Sequence, residues 1–220
     1  MKLDRILMDI ETQRDLFLPK NPAYTAQAGR AAPNIYKLFR WAKQNEVPVI
    51  STALRVRPGH LGPFGDQPHL IEQTAGETKL PRTILKSHID LGLRNDFDLP
   101  RDLFDRYQQA IFEKRETDIF QHGKAERLLT ELPNGTVVVC GAGVAQGIVE
   151  ATVGLRSRGF SVVLAEDAVV DFDDPGAEMA YLRMQAKGVF FAPTSQIIHP
   201  STKLRAAPFK QERPAVTRNR

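Results

Sequence analysis

Three apolar runs of this sequence each end in a residue that can do chemistry. Arg5-Ile-Leu-Met-Asp9 ends in a carboxylate, Ala110-Ile-Phe-Glu-Lys114 in an ammonium group, and Thr136-Val-Val-Val-Cys140 in the only thiol of the chain. The third run passes through Gly141-Ala-Gly143 into Val144-Ala145-Gln146-Gly147-Ile148 and then into a helical stretch. A thiol attacks carbon only as a thiolate, which needs a helix N-terminus, a cation or a base beside it. Cys140 lies short of the helix start, out of reach of the helix dipole, and in Val-Val-Val-Cys-Gly it reads as a small buried hydrophobe; as a catalytic thiol it requires the long Gly141-Ala-Gly143 turn to rearrange the loop. Asp9 and Lys114, taken alone, read as a buried or half-buried ion pair. A lysine facing a glycine-started helix end would also hold a carboxylate or another small anion.

The elements that position these residues alternate in type. Arg5 to Asp9, Val47 to Thr52, Ala110 to Lys114, Thr136 to Cys140, Ser161 to Ala165 and Val189 to Ala192 read as six strands. Helical spacing fills Ala28 to Asn45, Gly123 to Leu132, about Gln146 to Arg158, and Pro175 to Lys187, with Pro133-Asn134-Gly135 and Gly159 as stops. Strands this uniformly apolar are covered on both faces, which predicts an α/β fold of three layers, α/β/α, around a six-stranded, mainly parallel, Rossmann-like sheet. Such a sheet collects its site at the carboxyl ends of its strands, near the topological switch point. An insertion over residues 55–106, rich in Gly and Pro and then in charge, is expected to cover the site or build an oligomer contact.

Composition narrows the class. A chain of 220 residues with 42% apolar content suits one domain, here residues 1–200, better than two. A single Cys excludes an internal disulfide and suits a reducing compartment. The charged start is unlike a signal peptide and no run approaches the roughly 18 residues of a membrane span, so a cytoplasmic location is expected. The net charge of +4 is concentrated at the end: between Thr202 and Arg220 six cations face Glu212 alone, which leaves the rest of the chain at −1. Residues 201–220 therefore read as a basic, disordered, solvated tail rather than a nucleic-acid arm.

The ordered segments together resemble the isochorismatase-like cysteine hydrolases, the superfamily of nicotinamidases and N-carbamoyl amidohydrolases. Ile-Leu-Met-Asp9-Ile-Glu-Thr-Gln-Arg-Asp15-Leu-Phe17 is similar to that family's Asp-(Met/Val)-Gln-Asn-Asp-Phe but two residues longer, Lys114 precedes Phe120 at the family's spacing, and Glu166-Asp167-Ala168 matches its Asp-Ala pair. The resemblance implies a thiolate nucleophile at the helix start, an Asp that passes protons and a Lys that holds the thiolate ionised. On that template Asp9 is the base and Lys114 its partner, and the two side chains are expected to meet. Residues Val144 to Ile148 form the turn whose N–H groups stabilise an oxyanion.

Counting back from Ala151-Thr152 puts Ile148 in the nucleophile's slot, with no thiol or hydroxyl there; Thr152 falls about one turn further on. The family also implies a divalent metal: His60 and His69 align with two of its ligands and Asp66 is the nearby carboxylate, while Thr52 and Leu54 stand where the first two would be. Two imidazoles suffice only for an open site completed by water or substrate, and no cofactor is expected. Two functions remain open: a hydrolase of C–N or related bonds in a small molecule, and a pseudoenzyme that binds a small anionic or amide ligand in the same pocket. Assembly as a homodimer or tetramer follows by analogy.

Overall fold

A computed structural model describes residues 4–199. The seven strands are β1 (Arg5–Ile10), β2 (Val49–Leu54), β3 (His88–Asp90), β4 (Gln109–Lys114), β5 (Thr136–Ala142), β6 (Ser161–Val170) and β7 (Phe190–Ala192). The helices are α1 (Arg14–Phe17), α2 (Ala26–Gln44), α3 (Leu103–Arg106), α4 (Gly123–Glu131), α5 (Val149–Ser157), α6 (Ala177–Ala186) and α7 (Thr194–Ile197). All paired strands are parallel, in the order β3-β4-β2-β1-β5-β6-β7. β1 lies in the middle of the sheet, with β2, β4 and β3 on one side and β5, β6 and β7 on the other, so the switch point lies between β1 and β5.

The period of two along β1 explains the layers. Leu7 packs with Ile35, Leu38 and Phe39 of α2 on one face, and Ile6 and Met8 pack with the cluster of Leu128, Leu155 and Met184 on the other. Each such buried aliphatic or aromatic side chain contributes about 1.5–3 kcal/mol relative to exposure. Thr25 starts α2 by accepting a hydrogen bond from the Ala28 N–H at 3.2 Å.

The sheet has seven strands where six were expected. The additional one, β3, is three residues long and lies at the edge with His88 and Asp90 exposed, so it carries no apolar run for the sequence to display. It belongs to the 55–106 insertion. That insertion also returns across the end of β1: the Arg14 N–H donates to Thr78 O and the Leu80 N–H to Thr12 O, both at 2.9 Å, and Gln13 forms an antiparallel bridge with Lys79. The basic tail lies outside the described residues.

Candidate functional site

The chain continues beyond β1 into Glu11, whose φ of 45° is left-handed. A β-carbon-bearing residue held there costs on the order of 1–3 kcal/mol, so the surroundings must fix it. They do so through its side chain. The Lys114 ammonium stands 2.7 Å from Glu11 Oε1, and the Thr52 hydroxyl donates to the same oxygen at 2.7 Å. Lys114 Nζ also donates to Thr117 O at 2.6 Å and Glu116 O at 3.0 Å. Glu11 is fully buried and Lys114 nearly so, yet Glu11 Oε2 has no hydrogen-bond partner.

Lys114 therefore pairs with Glu11, and the expected meeting with Asp9 does not occur. Sheet register gives the reason. Asp9 is level with Ser51, and Ser51 with Ile111, whereas Lys114 is level with Leu54. Three residues at about 3.3 Å each separate the two heights. Glu11 stands two residues further along the chain, just beyond β1, and its side chain reaches Lys114. The sequence held a signal for it: Glu11-Thr12-Gln13-Arg14-Asp15 has the acid-x-Gln-x-Asp spacing without any insertion. Gln13 clamps the end of β2, donating to Leu54 O and accepting from the Leu54 N–H, each at 2.8 Å, and Asp15 accepts the Leu70 N–H at 2.7 Å.

Asp9 forms a second buried pair that sequence reasoning missed. Its Oδ2 lies 2.7 Å from Lys79 Nζ and accepts from the Thr12 and Ser51 hydroxyls, each at 3.0 Å. Lys79 comes from the insertion, and nothing in its sequence neighbourhood marks it.

The glycine turn after β5 sets the third side of the site. Gly141, at φ 121°, passes so close to β1 that an added Cβ would meet Ile10 O at 2.0 Å, and Gly143 at φ 84° lies beneath Phe64. Val144–Ile148 then forms a wide, π-type turn in which Gln146 departs from helical geometry. Gln146 and Ile148 both donate their N–H groups to Gly143 O, at 3.1 and 3.0 Å, so these two donors are spent within the turn. The Gln146 side-chain amide donates to Asp174 at 2.6 Å. Ile148 is packed in the apolar cluster with Ile10, Val144 and Leu155 and does not occupy the expected slot. Gly147 does face the acid–lysine pair: a Cβ on it would stand 2.9 Å from Glu11 Oε2 and 3.2 Å from Thr117 O. Counting back from Ala151-Thr152 follows the family's spacing, whereas the π-type turn ahead of α5 leaves Gly147, one residue earlier, facing the pair.

Cys140 is inside β5 rather than at its end, level with Asp9 and fully buried on the α2 side of the sheet. Burial above all, and then the neighbouring Asp9 carboxylate, push its thiol well above the ordinary range, against a smaller opposing pull from Lys79. The thiol is held protonated, the reverse of what a nucleophile requires.

The expected metal ligands do not fit an ion. Both ring nitrogens of His69 are engaged: Nε2 accepts the Phe64 N–H at 3.0 Å, and Nδ1 lies 2.7 Å from Gln67 O, to which it donates. Burial lowers the basicity of this imidazole, consistent with the neutral tautomer those two bonds require. His60 and Asp66 are exposed, and among the described residues no group of three His, Cys, Asp or Glu side chains is placed to hold an ion. Asp167 instead caps α7, accepting the Thr194 N–H and hydroxyl at 2.7 Å each.

A cleft of about 390 Å³ opens beside this constellation, lined by Leu54, Arg57, His60, Gly62 and Thr117 among others. Thr117 joins it to the site: its carbonyl binds Lys114 and faces Gly147. Phe64, stacked on Phe172 with ring centroids 4.7 Å apart, closes the side above Gly143.

A parallel sheet with an acid–lysine pair at the carboxyl ends of its strands, opposite a glycine turn that opens a helix, is a site-bearing α/β fold. Residues 6–196 match the Isochorismatase domain, and the chain belongs to that family. Solved structures agree in fold. Nicotinamidase PncA from Bacillus subtilis superposes with a TM-score of 0.64 at 20% identity, covering 86% of this chain and 99% of that one. The pyrazinamidase of Pyrococcus horikoshii in complex with zinc gives 0.65 at 18% identity, over 86% and 99%. N-carbamoylsarcosine amidase from Thermoplasma acidophilum gives 0.64 at 12%, over 87% and 96%. No curated protein matches the chain by sequence.

Proposed function

We propose that this protein hydrolyses a C–N or related bond of a small molecule without a covalent enzyme intermediate, using Glu11 as the proton-transfer group and water as the nucleophile. The observation that carries this reading is the state of Glu11: Oε1 is fixed by Lys114 and Thr52, while Oε2 is buried, unpartnered and turned toward Gly147. Gly147 offers no thiol or hydroxyl, and Cys140 is walled off and protonated. A fixed carboxylate with one free oxygen can take the proton of an attacking water and return it to the leaving nitrogen, which leaves atoms and charges balanced. General acid–base catalysis of this kind contributes roughly 10²–10⁴-fold. Lys114 keeps the carboxylate in place and offsets the charge that develops on the substrate.

The same feature favours a second reading, since a pair with no nucleophile also binds an amide or small anion without turning it over. A panel of small amides and carbamoyl compounds separates the two. Turnover that falls at least 100-fold in Glu11→Gln supports the hydrolase; ligand-dependent stabilisation without turnover in the unaltered protein supports the binding protein.

A further inference from the structure

Lys79 makes contacts that a merely structural ion pair would not need. Its ammonium donates to Asp9 Oδ2 at 2.7 Å, to Thr12 Oγ1 at 2.9 Å and to the Thr52 carbonyl at 3.2 Å. Those three residues surround Glu11. Asp9 lies two residues before it in the chain and Thr12 directly after it, and Thr52 is the residue whose hydroxyl holds Oε1 and accepts the Glu11 N–H at 3.3 Å. The backbone on either side of Lys79 is tied to the same segment, through Thr78 O to the Arg14 N–H and through the Leu80 N–H to Thr12 O. The left-handed Glu11 is thus held from below by one side chain reaching in from the insertion.

We infer that Lys79 is a positioning residue for Glu11, fixing the height and direction of its carboxylate through Thr52 and Thr12. The inference rests on Glu11 being the working carboxylate, although it can be tested without any turnover. The charged groups facing Glu11 are Lys114 directly, with Lys79 and Asp9 beneath it. Removing Lys79 leaves Asp9 as an uncompensated buried anion close to Glu11, so a changed Glu11 carboxyl environment in Lys79→Met alone would mix charge with position. Removing both members of the pair separates the two. In Asp9→Asn/Lys79→Met the net charge near Glu11 is unchanged and no buried ion is left alone, while the tie to Thr52 is gone.

The experiment is ¹³C NMR of the glutamate side-chain carboxyls at pH 7, with Glu11 assigned by its loss in Glu11→Gln, in the unaltered protein, Lys79→Met and the double variant. The expected result is a displaced Glu11 carboxyl signal in both variants. A double variant whose Glu11 signal matches that of the unaltered protein overturns the inference, because Lys79 then does no more than neutralise Asp9. Should Lys79→Met fail to fold, the double variant alone decides. If Glu11→Gln abolishes turnover while the Glu11 signal stays put, only the positioning role falls; if no substrate is turned over but the signal moves, only the catalytic reading falls.

Discussion

Gly147 and Glu11 leave no room for a side chain between them: a Cβ on the glycine would lie 2.9 Å from Oε2 of the carboxylate, closer than side-chain carbons ordinarily come. There is no empty thiol-sized space here. Gly147→Cys is therefore expected not to restore a nucleophile to a waiting slot. It should force Glu11 or Thr117 to move and cost about 1–3 kcal/mol, the usual range for overpacking, measured by urea denaturation. A variant as stable as the unaltered protein would show that the turn is looser than described.

The Glu11–Lys114 pair is buried, so removing one member leaves the other without its counter-charge. Lys114→Met is expected to lose about 3–5 kcal/mol of stability. Adding Glu11→Gln to it should recover a large part of that loss, because no buried charge then remains. Two independent, additive losses in the double-mutant cycle would mean that the two groups do not interact.

Cys140 ties stability to alkaline pH. Its folded thiol binds a proton more tightly than the unfolded one, so nothing happens while both are protonated, and stability falls as pH rises past the unfolded value of about 8.5. The loss cannot exceed about 1.4 kcal/mol per pH unit for one group. Relative to Cys140→Ala, the unaltered protein should therefore lose stability between about pH 8.5 and 10. At pH 7 the thiol is expected to resist iodoacetamide until the protein unfolds, and rapid alkylation of the native protein would contradict its enclosure.

His69 acts in the opposite range. Burial, against the weaker pulls of the Gln67 carbonyl and Asp15, lowers its folded value, so the unfolded chain takes up the proton first and stability is lost as pH falls below about 6.5. Protonation also removes the acceptor of the Phe64 N–H. The melting temperature should drop between about pH 6.5 and 5 in the unaltered protein and less in His69→Gln; equal slopes would place this dependence elsewhere.

The strand runs were legible because each is apolar throughout, and their order gave the layers. The site was legible only to within two residues. A strand continued at period two would put Asp9 and Glu11 on one side, and the sequence alone does not say how far β4 extends beside them; only the register of Leu54 with Lys114 selects Glu11. Ile148 follows from the family's spacing before Ala151-Thr152, and the π-type turn ahead of α5 brings Gly147 to the pair instead. Lys79 and β3 were invisible for a different reason, since their places depend on contacts between the insertion and the sheet rather than on any local pattern.

The central claim is that Glu11, not Cys140, carries the chemistry, and the most direct test is to compare Cys140→Ser with Glu11→Gln on whichever small amide the unaltered protein hydrolyses. The account predicts that Cys140→Ser keeps kcat within about threefold while Glu11→Gln loses at least 100-fold. Loss of activity in a folded Cys140→Ser, with Glu11→Gln still active, would contradict it and return the mechanism to a covalent thiol.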